Sequence, residues 1–177
     1  MIDHTEINRA VRQVVALCTG YDPKDVRPAN QLGGATGDRW ATVLILAQRS
    51  DGDVHTWANV PNIPTQQVTE TAEAHVAITA SVQFFRQGAL TSANKLRDRI
   101  TLSSALQLMQ NLGLGFIRSS QVKNLAAVVN ANWEERAALD IDFYVTSVEV
   151  DNVDTFGTFP MNVSTGSTRP NFEVTEP

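Results

Sequence analysis

A mixed α+β fold is predicted by two kinds of periodicity in the same chain. Apolar residues alternate with polar ones over two long stretches, at even positions from Val76 to Phe84 and at odd positions from Ala137 to Val145. Elsewhere they recur at spacings of three and four, the pattern of helices with one buried stripe. At 177 residues the chain is long enough to bury a sizeable core. Its share of hydrophobic residues, 42%, with 10 Gly and 7 Pro, suits a globular rather than a fibrous or disordered protein.

Ile7, Val11, Val14, Val15 and Cys18 predict a helix over residues 5–19, with Thr5 as its cap and Gly20 as its stop. Asp22-Pro23, Arg27-Pro28 and Gly33-Gly34 with Gly37 punctuate a long connection that contains one helical turn near 23–26. A β-branched-rich strand is expected over 42–49. The turn Ser50-Asp51-Gly52-Asp53 follows it, and 54–59 then reads as its hairpin partner. A strand over 66–85 ends near Gly88, and helices over 89–100 and 102–112 follow, the second stopped by Gly113. Residues 119–127 form a loop or short helix, 127–129 a brief strand, and 134–150 the second long strand. Beyond 152 the composition turns to Thr, Ser, Gly, Asn and Pro. The expected organisation is therefore one domain over 1–151 and an extended arm over 152–177.

Strand length carries a further inference. A globule of this size has a radius of gyration of roughly 16 Å, whereas seventeen extended residues span roughly 56 Å. Either a bulge bends such a strand or part of it projects, and projecting strands are ordinarily covered by another subunit. Self-association is the expectation.

Charge and motifs exclude several function classes. Fourteen Lys and Arg against 19 Asp and Glu give a net charge of −5 with no basic run, which opposes a role based on gripping nucleic-acid phosphates. The longest apolar run, Val43 to Ala47, is far short of the ~18 residues of a membrane span, and the polar opening Met1-Ile2-Asp3-His4 points to cytoplasmic synthesis without a secretory leader. One cysteine, Cys18, rules out an internal disulfide and a paired-thiolate metal site; on an apolar helix face it reads as a packing thiol. His4, His55 and His75 have no metal-ligand spacing. Gly33-Gly34-Ala35-Thr36-Gly37-Asp38 lacks the Gly-Lys-Ser/Thr ending of a phosphate loop. Gly113-Leu114-Gly115-Phe116 spells a carboxylate-binding loop of peptide-recognition domains but follows a helix here, so a helix stop and turn are expected. Asp140 and Asp142, on one strand face roughly 7 Å apart, are the sole pair that could divide acid and base roles. Nothing adjacent in sequence supports that chemistry, so no catalytic residue, cofactor or metal is expected.

The middle and end of the chain carry a resemblance. Arg27-Pro28-Ala29-Asn30-Gln31, then Ala80-Ser81-Val82-Gln83-Phe84-Phe85-Arg86-Gln87-Gly88-Ala89, then Leu108-Met109-Gln110-Asn111-Leu112-Gly113-Leu114-Gly115, and then Glu135-Arg136-Ala137-Ala138-Leu139-Asp140-Ile141-Asp142-Phe143 resemble the neck and tail terminator proteins of tailed bacteriophages. The resemblance runs over about 27–150, and where that family often has Tyr-Gly this chain has Phe85-Arg86-Gln87-Gly88.

What the resemblance implies is a non-enzymatic virion protein, assembled in the host cytoplasm, whose mainly antiparallel sheet carries its helices on one face. Such subunits form a sixfold ring that caps the tail tube and joins it to the head connector. The implied partners are further copies of the chain, the tail tube protein and the neck connector or stopper proteins, with the sheath as a further candidate and genomic DNA passing without tight binding. Two alternatives stand beside it, a head-completion or stopper protein and a small ligand-binding or enzymatic domain. A ring needs two different patches that meet between neighbours. The candidates are the sheet edge at Trp133, Glu134 and Arg136, and the helix carrying Lys95 and Arg99.

Overall fold

The computed structural model describes residues 3–29, 38–50, 54–58, 67–129, 131–154, 158–162 and 171–175. The glycine-rich loop at 33–37 and the turn at 51–53 lie outside the described residues.

The first helix, α1 (His4–Thr19), turns Ile7, Val11, Val14, Val15 and Cys18 inward, as their spacing predicts. Its cap is Asp3 rather than Thr5: the Asp3 carboxylate accepts from the Thr5 and Glu6 backbone N–H groups at 2.7 and 3.4 Å. A carboxylate beyond the first turn satisfies two otherwise unpaired donors and meets the positive end of the helix dipole, which a hydroxyl at residue 5 does not. Gly20 ends the helix at φ +76° and donates to the Ala16 carbonyl at 2.8 Å. A 3₁₀ turn (Pro23–Asp25) follows and leads into β1 (Val26–Pro28).

Two strands dominate the molecule. β4 (Gln67–Phe85) and β9 (Arg136–Asp154) each run 19 residues and lie side by side in one sheet. The sheet has the order β1, β2 (Trp40–Ser50), β4, β9, β5 (Leu114–Ser119). In addition β3 (His55–Ala58) pairs with β4, and β6 (Lys123–Asn124) pairs with β9. β1 pairs with β2 in parallel, whereas β2 and β3 pair with β4, and β5 and β6 with β9, in antiparallel fashion. The expected hairpin between the 42–49 strand and 54–59 is not formed. β4 takes both segments, positions 76–85 pairing with β2 and 70–73 with β3, because its longer ladder offers backbone partners to each. The strand expected over 134–150 starts at Arg136 and continues to Asp154, while β8 (Asn132–Glu134) folds back on β7 (Ala127–Val129) as a separate hairpin.

The chain divides into two compact units, Met1–Asp53 with Ala74–Ser147, and Val54–Glu73 with Val148–Pro177; β4 and β9 pass through both. In the first unit, Val76, Ile78, Ala80, Val82 and Phe84 of β4 and Ala137, Leu139, Ile141 and Phe143 of β9 are buried in one hydrophobic core. That core also takes Val11, Val14 and Val15 of α1, Ala93 and Leu96 of α2 (Ala89–Arg99), and Met109 of α3 (Ser103–Asn111). Apart from Ser81 and Ala138, which are buried as well, the alternation read from the sequence is the alternation of burial, and each large apolar side chain so removed from water contributes about 1.5–3 kcal/mol. On the other sheet face stand Thr79, Asp140 and Asp142, all partly exposed. The second unit holds the β3–β4 pairing and an antiparallel hairpin of β10 (Thr158–Asn162) and β11 (Asn171–Thr175). Within it, Thr69 Oγ1 donates to Asn152 Oδ1 at 3.0 Å, tying β4 to the end of β9.

Candidate functional site

Two of the residues expected at a subunit contact serve the fold of their own chain. Lys95 Nζ donates to the Thr19 carbonyl at 2.8 Å and Arg99 to the Cys18 carbonyl at 3.2 Å. These are among the last carbonyls of α1, which lack partners within the helix and carry its negative dipole end, so two cations from α2 suit them.

The other three candidates surround the start of β9. Glu134 Oε1 and Arg136 Nε form an ion pair at 3.0 Å, and the Arg136 guanidinium lies 5.4 Å from the centre of the Phe85 ring. Phe85 is itself stacked on Trp40 at 3.9 Å with the planes 6° apart. Between Glu134 and Arg136, Glu135 turns toward α2 and accepts from the backbone N–H groups of Gly88 and Leu90 at 2.8 and 3.2 Å. Since α2 has no side-chain cap of its own, this distant carboxylate supplies one. Sequence spacing gives no signal for such a cap, because its residue lies 47 positions away from the amide it binds.

Trp133 is the exposed member of the group. It pairs across the β7–β8 hairpin with Val128, and the two are 72% and 63% exposed; Leu125, just before the hairpin, is 45% exposed. The indole and the valine thus leave apolar surface in water on this hairpin.

Asp140 and Asp142 are committed to ion pairs. Asp142 accepts from Thr79 Oγ1 and from Arg118 Nε, both at 2.7 Å, and Asp140 accepts from Lys123 Nζ at 2.9 Å. Partial burial opposes ionisation of each, but hydrogen bonds from Lys123 and Ser81 to Asp140, and from Arg118 and Thr79 to Asp142, outweigh it together with the neighbouring cations. Both carboxyls are held below their ordinary value. A general acid at neutral pH needs the opposite shift.

The other polar motifs are structural as well. Burial pushes the Cys18 thiol up to about 11, too high for a nucleophile at neutral pH. Gly113 adopts φ +69° behind α3 and opens edge strand β5, the expected helix stop and turn. Among the described residues no group of His, Cys, Asp and Glu is placed to hold a metal ion, and no helix is long and apolar enough to cross a membrane.

No curated protein matches the chain. The family model described as phage neck terminator protein matches residues 5–167, a span that runs from α1 through β10. The sheet with its helices suits that family, and the match over most of the chain shows the membership: the chain belongs to the phage neck terminator family, non-catalytic virion proteins that form an oligomeric ring between tail tube and neck.

Proposed function

We propose that six copies of the chain close the ring, and that the exposed Trp133 hairpin is one of the two patches that meet between neighbours. The observation that carries this reading is the uncovered trio Trp133, Val128 and Leu125. A ring contact is heterologous, so a protruding patch on one copy must enter a different surface on the next. Tryptophan dominates such contacts because it buries a large rigid area at small conformational cost. Glu134 and Arg136 flank it as a polar rim. Lys95 and Arg99, held to the end of α1, support the fold of the unit that bears the patch. The tail tube lies on one side of the ring, the neck connector or stopper on the other, and DNA passes through without firm contacts.

Negative-stain imaging of the purified protein and of intact tails tests the ring. A sixfold annulus at the tail end is expected, and a Trp133→Ser variant that keeps its circular dichroism spectrum should lose it. A non-annular arrangement in the assembled tail would overturn the reading.

A further inference from the structure

Charge is divided unevenly between the two compact units. The unit formed by 54–73 and 148–177 contains seven Asp and Glu against the single Arg169, a net charge of −6. The other contains twelve against thirteen Lys and Arg, a net charge of +1, and together the units make up the −5 of the whole chain.

On the nearly neutral unit, a groove of about 510 Å³ lies between α1, the 3₁₀ turn and the β1 end of the sheet. Arg12, Lys24 and Arg27 line it together with the stacked pair Trp40 and Phe85, and among the described residues none that lines it is acidic. Lys24 pairs with the exposed Asp22 at 3.1 Å, and Arg27 Nε donates to the Lys24 carbonyl at 3.1 Å. Arg12 differs, because its Nε is buried without a hydrogen-bond partner. An N–H that has lost water and gained no acceptor is unfavourable, and an acceptor brought into the groove would relieve it.

The acidic unit presents a matching segment. Along β9, Val148 and Val150 are 47% and 61% exposed on one strand face, while Glu149 and Asp151 alternate with them on the other. The carboxylate face of this strand is the one that complements the cations of the groove, the two valines pointing to the opposite side. Unlike charge on two different surfaces of one chain is also what a head-to-tail contact requires.

We propose that the Arg12–Lys24–Arg27 groove of one copy receives the Val148-Glu149-Val150-Asp151 segment of the next copy. This rests on the ring reading and supplies it with a second contact, independent of Trp133. The contact is partly electrostatic, so ring formation weakens as salt rises.

The test compares tails made in cells with the unaltered chain, with Lys24→Glu plus Arg27→Glu, with Glu149→Lys plus Asp151→Lys, and with all four changes in one chain. Arg12 is left in place because it is partly buried. Each purified variant is first checked by circular dichroism, and rings are then counted by negative stain. The expected result is a loss of rings of about tenfold or more for each reversed pair, and recovery when both surfaces are reversed together. Rings unaffected by the groove reversal would overturn this inference and leave the ring reading intact. A folded four-fold variant no better than either pair would also overturn it, by assigning the groove to the tube or connector. A groove reversal that instead abolishes retention of duplex DNA would assign the groove to nucleic acid. Absence of rings from the unaltered tails would overturn the ring reading itself.

Discussion

Phe143 and Asp142 are neighbours in sequence with opposite surroundings. The Phe143 ring has no exposed surface, whereas the Asp142 carboxylate stands on the other sheet face between Thr79 and Arg118. Phe143→Ala removes a ring and leaves a cavity in the core, so a loss of roughly 3–5 kcal/mol is expected by urea denaturation. Asp142→Ala removes a partly screened ion pair and one hydrogen bond, and about 1–2 kcal/mol is the expected ceiling. The reverse order would mean that the strand register is displaced by one residue. Asp142 also sets a pH dependence. Its folded-state carboxyl lies below the ordinary value, so its stabilisation is complete above the unfolded value and is lost as pH falls through the lower, folded one. Asp142→Asn should flatten that acid limb in a pH series of urea midpoints.

At the scale of elements, α2 depends on a residue from elsewhere in the chain. Glu135→Ala uncaps the Gly88 and Leu90 amides, and a loss of about 1–2 kcal/mol is expected, with earlier hydrogen exchange at the start of α2 than in α1. Exchange that accelerates equally in both helices would show that Glu135 acts on the whole sheet instead. The same residue marks the boundary of what the sequence discloses. Alternation at 76–84 and 137–145 reveals which face of β4 and β9 is buried, because burial on one side writes a period of two into the residues themselves. Caps and partners leave no such period. Thr5 satisfies the usual signal for a helix start, yet Asp3 reaches the amides. The sequence pairs 54–59 with the strand before it, yet in the structure His55–Ala58 pair with β4. Lys95 and Arg99 look like surface charges by spacing, and only the packing of α2 against α1 brings them to the Cys18 and Thr19 carbonyls. Trp133 could be selected from sequence because an aromatic at a strand end has few uses; its exposure is a matter of which side of the β7–β8 hairpin it takes.

For the whole molecule, the charge distribution bears on what the ring does with DNA. In the proposed six-membered ring a subunit charge of −5 gives about −30, and at moderate salt such a body repels a polyanion unless cations are gathered on one surface. The structure spends much of its positive charge internally. Lys95 and Arg99 bind carbonyls of α1, Arg118 and Lys123 neutralise Asp142 and Asp140, and Arg136 pairs with Glu134. If DNA passes through the ring as proposed, each firm phosphate contact would add salt-dependent affinity and with it friction. The protein is therefore expected to show no electrophoretic shift of duplex DNA at micromolar concentration and physiological salt. Changing Lys95 and Arg99 to Ser should cost stability, through the exposed end of α1, and leave DNA retention at zero. Tight, salt-sensitive binding that these two changes abolish would overturn this expectation, because it would show the two cations facing the channel of the ring rather than the helix they cap.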